Sequence, residues 1–101
     1  MKGVKVYWIG HTIPTARHLK QLYKAFGEDV EIIRIPTKDP LSIKMILKSE
    51  KNAKVIAPYK LDLLSQLLKV TKEVYTFPHK ERTLHKVIAL FVQLEPVVEG
   101  D

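Results

Sequence analysis

Four short apolar runs recur along this chain, and each is closed by a proline-bearing polar loop. VKVYWIG leads into HTIPT, VEIIRI into PTKDP, AKVIA into PYK and EVYTF into PHKER. Apolar residues at helical spacing fill the stretches between them. Consecutive parallel strands need a long crossover, usually a helix, whereas antiparallel strands need only a tight turn. Strict alternation of the two patterns therefore predicts a parallel sheet with helices packed on both faces, joined by right-handed crossovers.

The individual elements can be read from their spacing. Val4–Gly10 is the first expected strand, apolar on both faces from Val6 onward. Thr15–Phe26 places Ala16, Leu19, Leu22, Tyr23 and Phe26 on one helical face and Arg17, Lys20, Gln21 and Lys24 on the other. Gly27 is a helix stop, and Val30–Ile35, interrupted by Glu31 and Arg34, reads as an edge strand. Asp39-Pro40 begins the next helix, aspartate as a cap and proline in the first turn. That helix runs to about Lys48 and splits its apolar residues, Ile43, Ile46 and Leu47 on one side and Leu41 with Met45 on another. Ala53–Ala57 is a buried-type strand, Leu61–Thr71 a third helix, and Glu73–Phe77 a fourth strand ended by Pro78.

Residues 84–94, LHKVIALFVQL, fit either a strand or a helix by length. As one strand they fail to alternate, because His85, Val87, Ala89, Phe91 and Gln93 would share a face. As a helix, Arg82, His85, Lys86, Ala89 and Gln93 fall in one arc of about 100°. The periodicity thus predicts a fourth helix, ended by Pro96. Its wide apolar arc, like the split face of the second helix, points to a homodimer through one of these helices.

The whole reads as a three-layer α/β/α fold with a four-stranded parallel sheet in the order 2-1-3-4, flavodoxin- or Rossmann-like in outline. This order puts the apolar first and third strands in the middle. The first and fourth helices would share one face and the second and third the other. One domain, residues 1–94, is expected to be followed by an acidic tail, residues 95–101, frayed from Glu95 onward. No apolar run approaches the ~20 residues needed to cross a bilayer, so a soluble, cytoplasmic protein without a membrane partner is expected. Fourteen lysines, four amide side chains and no cysteine make a thermophile-like composition.

Residues 1–94 hold all seventeen cations against eight acids, a net charge of +9. Ligands of open α/β sheets bind beyond the carboxyl ends of the strands, where strand order reverses. In the expected topology that crevice is walled by Gly10-His11-Thr12 and Pro58-Tyr59-Lys60, with Lys38 and Asp39 in one neighbouring loop and His79, Lys80 and Arg82 in another. Helix N-termini converge there as well, and both terms favour an anion. The expectation is a phosphate-bearing ligand, with Arg17, Lys60 and Arg82 on the phosphate, Thr12 hydrogen-bonding, Tyr59 lining or stacking, and His11 and His79 close by. Tyr59 beside Lys60 would equally suit a base and its phosphate, so nucleic-acid association through the same basic face is the alternative. A non-enzymatic homo-oligomeric assembly protein is the other.

His11 and Arg17 stand in a His-x5-Arg spacing across the first strand-to-helix turn. It resembles the Cys-x5-Arg loop of low-molecular-weight tyrosine phosphatases and of some sugar-transport phosphocarrier domains, with histidine in place of cysteine. That resemblance implies a phosphoryl group carried on His11, the candidate catalytic residue, with Arg17 gripping its oxygens. Pro14 removes one amide from the loop, and its interior has no glycine.

Other readings are excluded. There is no Gly-x4-Gly-Lys loop and no Gly-x-Gly-x-x-Gly fingerprint, so no nucleotide-cofactor motif is present. Neither the first nor the third strand ends in the aspartate of a phospho-accepting receiver domain. His11, His18, His79 and His85 lack metal-ligand spacing. No metal or cofactor is expected.

Overall fold

The computed structural model describes residues 4–48, 50, 53–78, 83–88 and 93–97. Within them the chain runs β1 (Lys5–Ile9), α1 (Ala16–Phe26), β2 (Glu31–Ile35), α2 (Pro40–Leu47), β3 (Lys54–Ala57), α3 (Leu61–Leu67), β4 (Glu73–Thr76), β5 (His85–Val87) and β6 (Leu94–Pro96). The strands form one mixed sheet in the order β2-β1-β3-β4-β5-β6. The first four are parallel to one another, whereas β5 and β6 are antiparallel to their neighbours. The α/β class and the 2-1-3-4 arrangement of the first four strands agree with the sequence reading. The all-parallel four-stranded sheet does not, because two further strands extend it.

The correction falls within residues 84–94, where a fourth helix is expected and the described residues instead give strands at His85–Val87 and from Leu94 onward. Leu84 and Val87 are both almost fully buried, at 0% and 1% exposure, but in the cores on opposite faces of the sheet. Adjacent strand positions point to opposite faces, so strand geometry can bury both while Lys86 turns to Glu73 of β4 (Nζ to Oε2, 2.9 Å). The pairing also removes β4 as an open edge, whose free amides and carbonyls a helix would have left unpaired. Ile88 N–H donates to Gln93 O at 2.9 Å and Val97 N–H to Leu84 O at 3.0 Å. Glu95 and Pro96, expected in a frayed tail, pair with Lys86 and His85.

Two apolar layers flank the sheet. α2 and α3 bury Ile43, Leu47, Leu63, Leu64 and Leu67 against Tyr7, Ile9, Val55, Val74 and Val87. On the other face α1 lays Leu22, with Leu19 and Phe26 beside it, over Val6, Trp8, Ile56 and Tyr75. Phe26 and Tyr75 meet in a T-shaped pair at a 5.2 Å centroid separation, and burial pushes the Tyr75 phenol up to about 12. Where a fourth helix was expected, Gln21 of α1 reaches across to accept the Leu84 N–H at 3.2 Å. On α2, Leu41 and Met45 remain 72% and 77% exposed, as the split apolar face implied.

Candidate functional site: the carboxyl end of the β1–β3 crevice

β1 ends at Gly10, whose φ of +109° turns the chain out of the sheet in a conformation that side-chain-bearing residues rarely adopt. Its amide donates to Ile35 O at 2.9 Å, tying the β1 exit to the end of β2. A Cβ at this position would lie 3.3 Å from Pro58 Cγ and 3.7 Å from Lys38 Cε, so the loops after β1, β2 and β3 meet here.

Thr15 then caps α1 in a reciprocal capping box. His18 N–H donates to Thr15 Oγ1 (3.3 Å), and Thr15 N–H donates back to His18 Nδ1 (3.1 Å). This box ordinarily carries Glu or Gln at the third helical position; here an imidazole takes that role. The bond fixes Nδ1 as an acceptor, so the neutral ring carries its proton on Nε2. Among the described residues Nε2 has no hydrogen-bond partner. Burial lowers the His18 pKa below the ordinary imidazole value, which favours the neutral ring.

The His18 ring leans against two others. Its centroid lies 4.5 Å from Phe77 and 5.2 Å from Trp8, and Trp8 and Phe77 are 6.2 Å apart. Trp8 is the buried member, and its indole N–H donates to Thr12 O at 3.0 Å. His18 and Phe77 are half-buried.

These rings line one side of a hollow of about 200 Å³ between the ends of β1 and β3. Ile9, Ile56 and Ala57 also line it, along with Thr12, Pro58 and Lys38. Lys38 is the charged residue of this lining, and no carboxylate is among the described residues around it. A second, shallower hollow of about 530 Å³ opens beside the starts of α2 and α3, lined by Lys38, Pro40, Lys60, Asp62 and Gln66 with apolar neighbours. Lys38 therefore borders both. Asp39 sits at the α2 N-cap but makes no side-chain bond to a helix amide. Its carboxylate accepts from Ser42 Oγ at 2.7 Å, which holds it below the usual carboxylate range.

The expected site residues are distributed unevenly about this rim. Thr12 lines the first hollow and Lys60 the second. His11, Arg17 and Tyr59 are exposed and line neither. His79 and Arg82 lie outside the described residues. Around the His11–Arg17 turn the amides of Gly10, Thr15, His18 and Leu19 are already bonded within the protein.

The sequence reading passed over His18, Trp8 and Phe77. Helical spacing treats His18 as one more position on α1, and strand membership treats the two aromatics as core. The available signal was Thr15-x-x-His18, a capping-box spacing with an imidazole at its third helical position. Among the described residues no three histidine or acidic side chains converge on a possible metal position, and no helix is long and apolar enough to cross a membrane.

A scan of protein-family models, a search of curated proteins and a search of solved structures each find no match to this chain.

Proposed function

We propose that this protein binds a small phosphate-bearing ligand at the carboxyl end of its sheet. The observation that carries the reading is Lys38, an ammonium bordering two adjoining hollows, with no carboxylate among the described residues lining the first. An anion at this rim gains the lysine charge without an opposing acid on the β1–β3 side. Lys60 supplies a second cation on the α3 side, where Asp62 offsets part of its field. Thr12 offers a hydroxyl at the mouth of the first hollow. His11, Arg17 and Tyr59 are exposed and complete the outer rim in this reading.

Thermal stability measured against inorganic phosphate, sugar phosphates and nucleotides tests the proposal. A ligand at ten times its Kd adds about 1.4 kcal/mol to stability, which in a domain of this size raises Tm by roughly 5–10 °C. Lys38→Ala is expected to abolish the shift and Lys60→Ala to reduce it. A panel without any saturable shift refutes the reading. Binding instead to duplex or single-stranded nucleic acid, with affinity falling steeply as salt rises, would transfer the same rim to nucleic-acid association.

Self-association has its own supporting observation, the exposed pair Leu41 and Met45 one helical turn apart on α2. A dimer through this face predicts that light scattering gives twice the monomer mass and that Leu41→Lys with Met45→Lys returns the monomer. A monomeric wild-type protein removes this second reading.

A further inference from the structure

We infer that the hollow between β1 and β3 is a subsite for the base of a free nucleoside monophosphate, with the phosphate directed toward Lys38. The inference rests on the anion-binding reading above and deepens it by assigning what the anion is attached to.

Three features of the hollow select a planar ring. Its size, about 200 Å³, lies below the roughly 300–1,000 Å³ of pockets for drug-sized ligands, so it suits one ring system and not an extended molecule. Its lining is largely apolar, with Ile9, Ile56 and Ala57 beside the Trp8, His18 and Phe77 rings. Flat aromatic ligands find their best contact with tilted or offset rings, because the ring quadrupoles disfavour a face-to-face sandwich. The half-buried rings of Phe77 and His18, tilted 41° to each other, offer such partners beside Trp8.

The polar groups narrow the ring to a base. Trp8 spends its indole N–H on Thr12 O, and His18 spends Nδ1 on the Thr15 amide. What remains on His18, a residue of the lining, is its Nε2–H, a donor with no hydrogen-bond partner among the described residues. A saturated or hydrocarbon ring would leave that donor unpaired; a base brings acceptor nitrogens or carbonyl oxygens at its edge. Charge decides the rest. Lys38 lies on the lining that holds no carboxylate among the described residues, so a ring joined to an anionic group is favoured over a neutral nucleoside or a cation. A hollow with room for one ring system also favours a free mononucleotide over a strand, which gains affinity from successive stacked bases along a groove.

Trp8 is the chain's one tryptophan, so its emission reports directly on the hollow. Titration with the four nucleoside 5′-monophosphates, the corresponding nucleosides, ribose 5-phosphate, inorganic phosphate and a six-nucleotide single strand tests the inference, with calorimetry on the same ligands. The expected result is saturable quenching by at least one monophosphate, which binds about tenfold or more tightly than ribose 5-phosphate, as loss of base stacking implies. Phe77→Leu, which keeps bulk and removes the ring, should bring that monophosphate to the affinity of ribose 5-phosphate. The wild-type comparison decides the matter even if this variant is poorly folded. Equal binding of monophosphate and ribose 5-phosphate, with Trp8 emission unchanged, overturns the base subsite and leaves the anion-binding reading standing. A nucleoside binding as tightly as its monophosphate overturns the anion reading and the nucleotide with it. Tighter binding of the six-nucleotide strand overturns the free mononucleotide, and no binding by any ligand overturns both proposals.

Discussion

Replacing Gly10 by alanine tests the link between the backbone at the β1 exit and the hollow beside it. Gly10 has φ +109°, a conformation that costs a side-chain-bearing residue roughly 1–3 kcal/mol. Alanine also restricts the unfolded chain, which returns about 0.4–1 kcal/mol. The new methyl group would sit 3.3 Å from Pro58 Cγ, so the proline that lines the hollow has to give way by a few tenths of an ångström. The net expectation is a loss of about 1–2 kcal/mol, read as a Tm roughly 5–10 °C lower in a domain of this size. Gly27→Ala is the matched control. Its φ is +103°, and the Cβ would meet only Asp29 Oδ1, at 3.0 Å, the tip of an exposed side chain that can swing aside. Both variants should lose stability in thermal and urea melts. Only Gly10→Ala should also weaken nucleoside monophosphate binding as read by Trp8 emission, because only it moves a wall of the hollow. A Gly10→Ala protein as stable as wild type would refute the backbone argument. An equal loss of affinity in Gly27→Ala would refute the wall argument.

Two further outcomes follow from the charged groups. The lowered His18 pKa means that the unfolded chain binds the proton more readily, so this residue's contribution is present above about pH 6.5 and is lost as pH falls through the folded value. His18→Gln keeps the capping-box pattern and should flatten that stretch of the stability–pH curve, while loss of the ring contacts to Phe77 and Trp8 lowers stability near pH 8 by about 0.5–1.5 kcal/mol; an unchanged slope would refute the assignment. Glu73 accepts from Lys86 (2.9 Å) and Lys54 (3.1 Å), and these partners hold its pKa below the usual carboxylate value. Its contribution is therefore present above about pH 4.5 and lost as pH falls through the folded value. Glu73→Gln should cost less than about 1 kcal/mol at neutral pH in a urea melt, since all three partners are partly exposed, and should shallow the acid limb; a cost of several kcal/mol would refute this.

The first four strands were legible because each couples an apolar run to a proline-bearing exit, and because Val6–Ile9 and Val55–Ala57 can be apolar on both faces only in central strands. Residues 84–94 were misread for a physical reason. LHKVIALFVQL contains no glycine, proline, asparagine or aspartate, so nothing marks a reversal within it, and periodicity counted over eleven residues treated two paired strands as one element. Taken over 84–87 alone, Leu84 and Lys86 face α1 while His85 and Val87 face α2 and α3, an ordinary strand alternation. The site was legible in location but less so in membership. Chain topology alone brings Thr12, Lys38 and Pro58 to the crevice. Whether His11 or His18 faces the hollow depends on the angle at which the capped helix leaves the turn, and spacing carries no information about that angle.

The strand at 85–87 and the hollow are two consequences of one arrangement of side chains on the α1 face of the sheet. Toward its amino end the β3–β4–β5 surface carries Lys54, Glu73 and Lys86, joined by two ion pairs. A helix packed over Lys54 and Glu73 would strip water from both charges, at a desolvation cost that their mutual attraction does not reliably repay. The alternative satisfies them at a partly exposed surface and uses the same residues to cover the β4 edge. Among the described residues α1 is the helix of this face; Trp8 beside it is buried, whereas Phe77 and its own His18 are half-buried. A helix over residues 84–94 would have lain beside α1 and across those rings. The ionic trio that favours strand over helix at one end of the face thereby keeps an aromatic-lined recess open at the other.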